Sequence, residues 1–228
     1  MKATAVVPVK RFGAAKQRLL GRLDRPQRAA IVKAMLADVL ASVGRAGEVE
    51  RIVVVTGEGR AERIALRTAR GLETPLEVLR DPADAGHSEA ATLGIVRARA
   101  HGAECVALLP GDCPLLDPAE LDGALGRMRL GRVAVIPDRH GTGTNGLIMA
   151  PADAIGPAFG PGSRERHLDR AARRGHDAAV EELPSLALDL DTPDDLDELA
   201  AALAGDTRRA PETVRELDRL GLQARGPG

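Results

Sequence analysis

The sequence predicts an α/β fold with a mainly parallel central sheet flanked by helices. Short apolar runs rich in β-branched residues alternate with longer segments whose apolar residues recur every three or four positions. The runs are apolar on consecutive residues, as expected of parallel strands that are buried on both faces. The chain has 228 residues, of which 44% are hydrophobic, and this suffices for the core of one such domain.

The predicted elements follow one another in alternation. Apolar runs predict strands at residues 6–9, 51–55, 76–79, 105–109, 133–137, 146–150 and 186–188. Helical spacing predicts one helix that begins after Asp24 and others at 61–70, 88–100, 118–128, 163–174 and 193–203. In the first helix Asp24 is the expected N-cap and Pro26 lies in the first turn.

These elements fill a single domain over residues 1–205. Residues 206–228 form a charged C-terminal tail. The tail either holds one short amphipathic helix, with Val214, Leu217 and Leu220 on its apolar side, or is loose.

Composition argues against several classes of protein. The formal net charge is -1, so neither nucleic acid nor a membrane surface is an expected partner. Trp and Tyr are absent and Phe occurs only twice, which argues against base-stacking platforms. Cys105 and Cys113 form no disulfide or zinc pattern and are expected to be buried thiols. The apolar N-terminal run is too short for a signal peptide or a membrane span, so a cytoplasmic protein is expected.

A basic loop leaves the first strand. Between Pro8 and Leu19 it carries four cations, which are Lys10, Arg11, Lys16 and Arg18. Ligands of open α/β sheets bind beyond the carboxyl ends of the strands. A loop of small residues with Lys and Arg there suits a triphosphate. The alternative interpretation is a solvated basic loop without a ligand.

Carboxylates follow two apolar segments. Asp112 comes shortly after the strand at 105–109, in a turn made by Gly and Pro, where it is well placed to hold Mg²⁺. Asp189 and Asp191 would point the same way from a strand, and their repulsion favours a metal site shared with Asp112. The alternatives are that Asp112 only caps its turn and that Asp191 or Thr192 caps the next helix.

Two glycine-rich segments predict an anion site. In residues 159–167 a turn runs into a helix with Ser163 as N-cap, and free amides at a helix start bind anions. Arg166 adds positive charge there, whereas a single helical histidine such as His167 is more often structural. Residues 138–146 contain a G-x-G-x-x-G pattern, but the pattern opens a predicted strand and not a helix, which argues against a dinucleotide site. Backbone amides around a small acid substrate fit this loop better.

Together these segments resemble the guanylyltransferases of deazaflavin coenzyme F-420 biosynthesis. That family acts on 2-phospho-L-lactate and, in related members, on phosphoenolpyruvate or 3-phosphoglycerate. The residues that carry the resemblance are Pro8-Val9-Lys10, Ala15-Lys16-Gln17-Arg18-Leu19, Gly111-Asp112-Cys113-Pro114, Asp138-Arg139-His140-Gly141-Thr142-Gly143-Thr144-Asn145, Phe159-Gly160-Pro161-Gly162-Ser163, Arg166-His167 and Asp189-Leu190-Asp191-Thr192-Pro193.

The resemblance implies a nucleotide-diphospho-sugar-transferase-like (Rossmann-like) fold. It also implies that Mg²⁺ is the cofactor and that the substrates are GTP and a small phosphorylated carboxylic acid. We expect Asp112, Asp189 and Asp191 to hold the metal, and Lys16 and Asp112 to be catalytic. The residues expected at the nucleotide are Pro8, Lys10, Lys16, Arg18, Gly86 and Ser88. The residues expected at the acceptor acid are Thr144, Gly160, Ser163 and Arg166.

One position departs from the family pattern. Where this chain has Ser88 the family usually has Asn, and Gly-x-Ser before a helix is more similar to the molybdopterin nucleotidyltransferases of the same fold. The segment Gly86 to Ala91 is expected to meet the nucleotide, so the departure concerns base specificity more than fold or reaction.

The expected reaction is in-line attack of a substrate phosphate oxygen on the α-phosphorus of GTP, with release of pyrophosphate. The attacking oxygen is already an anion, so no side-chain base is required, and catalysis consists of alignment and charge neutralisation. The sequence leaves the acceptor open among phosphoenolpyruvate, 2-phospho-L-lactate and 3-phosphoglycerate. Two rival interpretations are a nucleotidyltransferase acting on a molybdenum cofactor or a sugar phosphate, and a non-catalytic nucleotide-binding protein.

Overall fold

The computed structural model describes residues 1–12, 16–206 and 208–222. Its strands form one mixed sheet. They are β1 (Ala3–Val9), β2 (Val49–Thr56), β3 (Leu76–Arg80), β4 (Val106–Leu108), β5 (Arg132–Pro137), β6 (Thr144–Ala150) and β7 (Asp177–Val180). The order across the seven-stranded sheet is β3-β2-β1-β4-β6-β5-β7.

Helices cover both faces of the sheet. They are α1 (Arg25–Arg45), α2 (Gly59–Ala69), α3 (His87–Ala100), α4 (Pro118–Gly126), α5 (Ser163–Arg173), α6 (Pro184–Ala187), α7 (Pro193–Leu203) and α8 (Pro211–Arg219). The start of α1 is a capping box, in which Asp24 and Gln27 each accept the other's backbone N–H. None of the helices in these described ranges has the length and apolar character needed to cross a membrane.

The side chains of β1 alternate between two hydrophobic cores. Ala3, Ala5 and Val7 face the larger core, which is shared with α1, α2, α4, α7 and α8. Val6 faces the smaller core, which is shared with α3 and α5. Because both faces are covered, every position of a central strand favours an apolar residue, and this accounts for the continuous apolar runs in the sequence.

The sheet topology brings distant segments to one edge. β1 pairs in parallel with β2 and β4, so these three strands end at the same edge. β6 runs antiparallel to β4, with Leu147 opposite Leu108, so β6 begins at that edge. The residues that follow β1 and β4 therefore lie close to Thr144, the first residue of β6.

The predicted α/β fold is confirmed, with two differences in the elements. The strand predicted at 186–188 is wrong, because Pro184–Ala187 form α6, with Pro184 in a first turn that its fixed φ favours. The segment is apolar because Leu186 and Leu188 pack into the larger core, and not because it forms a strand. Strand β7 has no counterpart among the predicted strands, since its four residues are one aspartate, two alanines and one valine, all at best half-buried.

The C-terminal segment holds a helix, one of the two predicted alternatives. Thr213 and Leu217 of α8 are buried. The carboxylate of Asp38 in α1 accepts hydrogen bonds from the Thr213 N–H at 2.7 Å, the Thr213 hydroxyl at 2.7 Å and the Glu212 N–H at 3.1 Å. The helix is therefore docked on α1 by polar contacts and by apolar burial.

Candidate active site

A cavity of about 590 Å³ lies at the sheet edge where β1 and β4 end and β6 begins. Its volume is typical of pockets that bind small ligands. Most of the predicted site residues line it. They are Pro8, Lys10, Lys16, Ser88, Asp112, Thr144, Gly160, Asp189 and Asp191. Segments far apart in the sequence thus meet around one space.

Lys16 is the buried cation of the cavity. Its side chain is only 8% exposed, and its Nζ donates to Asp112 and, at 2.8 Å, to Asp191. Burial opposes the charged form, but the two carboxylates outweigh it, so the pKa of Lys16 is raised. Burial likewise opposes the charged form of Asp112, yet Lys16 lowers the pKa of that carboxyl below its usual value. The site therefore holds an ammonium between two carboxylates.

Asp189 and Asp191 lie on an extended segment that enters α7 without being part of a strand. Leu188 and Leu190 are buried while Asp189 and Asp191 are more exposed, so the period-two alternation holds although the predicted strand is absent. The cap of α7 is Thr192, paired with Asp195 in a capping box. This supports the Thr192 alternative and leaves the Asp191 side chain in contact with Lys16.

Burial raises the pKa of Asp189, and the negative charges of Asp112 and Asp191 raise it further. The three carboxylates are therefore near enough to repel one another. Among the described residues no group of three His, Cys, Asp or Glu side chains is clustered as a metal site. The Lys16 ammonium lies between Asp112 and Asp191 instead.

Thr144 also lines the cavity and contacts a buried histidine. Its Oγ1 lies 3.0 Å from Nδ1 of His167, whose Nε2 accepts the N–H of Ala158 at 2.8 Å. His167 is fully buried. Burial, with the nearby Arg170 and Arg166, lowers the pKa of His167 to about 4. The structure thus agrees with the structural interpretation of this histidine, which supports the cavity wall.

Phe159, at the cavity, contacts residues of both α3 and α5. Its ring makes edge contacts with His87, at a centroid distance of 4.8 Å, and with His167, at 5.3 Å. Its backbone N–H donates to the Ser88 hydroxyl at 3.0 Å. Ser88 therefore lies at the cavity and is at the same time bonded to the wall that carries Gly160.

Several predicted site residues lie outside the cavity lining. Arg18 is exposed in the short 3₁₀ turn Gln17–Leu19, and Gly86 is the N-cap of α3, directly before the lining residues His87 and Ser88. Gly86 has a φ of 153°, a backbone conformation that favours glycine, and a Cβ there would displace the Glu89 carboxylate.

The prediction that Ser163 is the N-cap of its helix is wrong. Gly162, in a left-handed conformation with φ 69°, is the N-cap, and Ser163 is the first helical residue. The Ser163 hydroxyl is buried without a hydrogen-bond partner in the described part of the chain. Arg166 donates to the carbonyl oxygens of Ala158 and Pro161, so its charge supports the turn and does not face the cavity.

The loop before β6 uses its polar groups internally. The Asp138 carboxylate accepts the Thr142 N–H at 3.0 Å, and the Thr142 carbonyl accepts the Arg164 N–H at 3.3 Å. The G-x-G-x-x-G pattern leads into β6, so its glycines open a strand and not a helix, as expected. Of this segment only Thr144 and Asn145 line the cavity.

Other lining residues have no counterpart in the predicted set. Both phenylalanines of the chain, Phe12 and Phe159, line the cavity. They are the only aromatic rings of the Phe, Tyr and Trp type in the sequence, and this is the signal by which the sequence could have marked them as site residues. Asn145 donates from its amide to the carbonyls of Leu186 and Ala187 at 2.9 and 3.1 Å and to Asp189 at 3.4 Å. It therefore links the start of β6 to the carboxylate segment.

The fold and the site define a nucleotidyltransferase-like α/β protein. A nucleotide-diphospho-sugar-transferase candidate from Desulfovibrio desulfuricans G20 shares the fold with a TM-score of 0.70 at 17% identity, covering 98% of this chain and 100% of that one. The 4-diphosphocytidyl-2C-methyl-D-erythritol synthase from Anaerococcus prevotii does so with a TM-score of 0.62 at 12% identity, covering 89% and 96%. At these identities the likeness establishes the fold alone.

Sequence comparison identifies the family. The chain belongs to the family described as guanylyl transferase CofC like, whose sequence model matches residues 3–224. It is 43% identical to the phosphoenolpyruvate guanylyltransferase of Conexibacter woesei, over 96% of this chain and 97% of that protein. It is 36% identical to the 3-phospho-D-glycerate guanylyltransferase of Phenylobacterium zucineum, over 94% and 96%.

Proposed function

We propose that this protein transfers GMP from GTP to the phosphate of phosphoenolpyruvate, with release of pyrophosphate, as a step of coenzyme F-420 biosynthesis. The observation that carries the proposal is the 43% identity, over nearly the full length, to a protein named for that reaction. A 36% identical relative named for 3-phospho-D-glycerate supports a second acceptor. 2-Phospho-L-lactate is the third acid to test.

The reaction asks the protein for alignment and charge neutralisation. A phosphate oxygen of the acid forms a bond to the α-phosphorus of GTP while the bond to the bridging oxygen of pyrophosphate breaks. The Lys16 ammonium, buried and held charged by its two carboxylates, is the cation best placed to neutralise phosphate charge. Thr144 and Gly160 line the side proposed for the acceptor acid.

We propose Mg²⁺ as the metal and Asp112, Asp189 and Asp191 as its ligands. Carboxylate oxygens suit this ion, and the proposal is supported by the lining of one cavity with all three, where Asp112 and Asp191 raise the pKa of Asp189, so that binding the ion would draw them together from their present spacing. When bound, the ion would supply neutralisation of charge on the transferring phosphates. The position of Lys16 between two of these carboxylates agrees with a demand for positive charge at this point.

The experiment is a matrix of nucleotides and acids. The protein is incubated with GTP, ATP, CTP or UTP and with each of the three acids, with and without Mg²⁺, and pyrophosphate release and the nucleotide adduct are measured. We expect turnover with GTP and phosphoenolpyruvate only when Mg²⁺ is present. A site that hydrogen-bonds guanine leaves polar groups unpaired with adenine, so ATP should be rejected. Greater turnover with CTP or ATP would contradict the guanylyl assignment, and turnover without a divalent ion would contradict the metal.

A further inference from the structure

The hydrogen bonds of His167 define which of its nitrogens carries the proton. The Ala158 backbone N–H can only donate, so Nε2 of His167, at 2.8 Å, must be the unprotonated acceptor. A neutral imidazole then carries its proton on Nδ1. Nδ1 lies 3.0 Å from Thr144 Oγ1 and therefore donates to that hydroxyl.

This donation determines what the Thr144 hydroxyl can do. The oxygen accepts from His167, so the hydroxyl proton is directed away from the histidine. Thr144 lines the cavity, whereas His167 is fully buried behind it. The remaining proton is thus available as a hydrogen-bond donor to an anionic oxygen in the cavity.

Helix α5, which carries His167, also supports the chain segment at residues 154–158. Arg166, Arg170 and Arg174 lie one turn apart along one side of α5 and its C-cap. Arg166 donates to the Ala158 carbonyl at 3.0 Å, Arg170 to the Gly156 carbonyl at 2.7 Å and Arg174 to the Ala154 carbonyl at 3.2 Å. His167, on the same helix, connects this wall to Thr144, whose side chain lines the cavity.

We propose that His167 is a positioning residue that acts through Thr144, holding its hydroxyl as a donor to an anionic oxygen of the acceptor acid. The inference rests on the proposed function for the identity of the acid, and it names the group that prepares the acceptor side. His167 itself touches no substrate. A hydroxyl oriented before binding loses less entropy when the acid arrives, so the effect should appear in acceptor affinity.

Two amide variants separate the two hydrogen bonds of His167. His167→Gln places an amide oxygen near the position of Nε2 and can keep the Ala158 contact, but it loses the Nδ1 donor. His167→Asn places an amide N–H near Nδ1 and keeps that donor. We expect His167→Gln to raise the acceptor KM about 10-fold, the scale of one hydrogen bond to a charged group, with an unchanged GTP KM. His167→Asn should raise the acceptor KM less.

Thr144→Val tests whether the effect passes through the hydroxyl. If it does, adding His167→Gln to Thr144→Val should raise the acceptor KM no further. Arg170→Met is the matched control, because it removes a support of the same wall without contact to Thr144, and it should leave the ratio of the acceptor KM to the GTP KM unchanged. Additive effects of His167→Gln and Thr144→Val, or an equal effect of Arg170→Met on that ratio, would overturn the proposal.

A spectroscopic measurement decides the proton position without any activity. In the ¹⁵N-labelled protein without substrate, two-dimensional ¹H–¹⁵N spectra of the imidazole rings distinguish the Nδ1–H from the Nε2–H tautomer, and the signal lost in His167→Gln identifies this residue. We expect the Nδ1–H tautomer. A protonated Nε2 would overturn the inference even in an active enzyme. Failure of every acid to react would instead contradict the proposed function and leave this measurement decisive.

Discussion

Lys16 combines three properties that rarely occur together in one residue. Its backbone is in the left-handed region with φ 58°, which costs a non-glycine residue about 1 kcal/mol or more. Its side chain is 8% exposed, and it is paired with two carboxylates. Strain of this kind persists where the surroundings hold it, and here the ion pairs with Asp112 and Asp191 do so.

Replacing Lys16 should damage the use of GTP selectively. Charge-assisted contacts contribute roughly 1.5–3 kcal/mol each, so Lys16→Ala should raise the GTP KM about 10- to 100-fold and affect the acceptor KM far less. Steady-state kinetics with each substrate varied in turn measure this. Lys2→Ala, at the opposite end of β1, is the control for loss of one positive charge. An unchanged GTP dependence in Lys16→Ala would mean that Lys16 serves only its pairs with Asp112 and Asp191 and does not contact the nucleotide.

The metal assignment can be tested on Asp189, which is the one of the three proposed ligands that forms no ion pair with Lys16 in the described structure. Asp112→Asn and Asp191→Asn should both abolish turnover with the fold intact, but each also breaks an ion pair with Lys16. Asp189 has no ion pair in the described structure, so Asp189→Asn isolates the metal role and should raise the Mg²⁺ concentration needed for half-maximal activity.

The control for the carboxylate variants is Asp197→Asn. Asp197 lies on α7, where its carboxylate is exposed and paired with Arg22. This variant should keep near-wild-type activity. Activity within a few-fold of wild type in Asp112→Asn or Asp191→Asn, or an unchanged Mg²⁺ dependence in Asp189→Asn, would exclude the proposed ligand set.

At the scale of elements, the sequence predicts the central strands well because their burial is two-sided. Strands β1 and β2 are buried almost throughout. A short run of consecutive apolar residues is typical of a strand that is buried on both faces. The predictions fail where buried apolar residues do not belong to a strand, and where a strand is paired but hardly buried. Leu186 and Leu188 are buried by a short helix and an extended segment, and β7 is an edge strand with little burial.

The candidate site shows the same division. Lys16 and Asp112 are predicted in the cavity from segments that follow strands, since the carboxyl ends of the strands meet at one sheet edge, whereas Thr144 is predicted by the family resemblance. The direction of a side chain in the first turn of a helix cannot be predicted from its place at the sheet edge, because it depends on which residue is the N-cap. Ser163 is buried because Gly162 takes the capping position, and the exposed Arg166 is held on the turn because the turn offers carbonyl oxygens to its guanidinium.

Helix α8 should contribute measurably to stability through its polar contact with α1. Burial raises the pKa of Asp38, although hydrogen bonds from Thr213 and Glu212 favour its charged form. Thr213→Val removes the hydroxyl donor and leaves a buried carboxylate oxygen with one partner fewer. We expect a loss of about 1–3 kcal/mol in the free energy of unfolding, measured by chemical denaturation.

Thr68→Val is the control for the α8 prediction. Thr68 lies on α2 and is half-buried, so the same chemical change there should alter the free energy of unfolding by less than about 0.5 kcal/mol. Equal losses in the two variants would mean that α8 is held by its apolar side alone, through Leu217.

At the scale of the whole molecule, the buried His167 behind Thr144 links the proposed acceptor site to the stability of the fold. His167 is buried between the Phe159 ring and Thr144, on the side of the sheet that carries the smaller core. Arg166 and Arg170 lie near it on the same helix. A group that must stay uncharged in the folded protein makes stability depend on pH.

The direction of this dependence follows from the two pKa values. The ordinary histidine pKa is 6.5, and in the folded protein the pKa of His167 is lowered to about 4. Between these values the unfolded chain binds a proton that the folded protein does not, so folding loses stability as the pH falls from 6.5 towards 4. The loss at pH 4 should amount to roughly 2–4 kcal/mol, at about 1.4 kcal/mol for each pH unit. Above pH 6.5 the contribution is fully present.

The variant His167→Gln isolates this contribution, because the glutamine does not titrate while all other groups remain. Free energies of unfolding of wild type and variant should be measured by denaturation at intervals from pH 7.5 to pH 4.5. We expect wild type to be the more stable at pH 7.5, because His167 is neutral there in both the folded and the unfolded state and keeps its two hydrogen bonds. The advantage should shrink steadily below pH 6.5, and the two curves should approach or cross near pH 4.5. A difference that stays constant over this range would show that His167 is not kept neutral by its surroundings, and the tautomer that orients Thr144 would lose its basis.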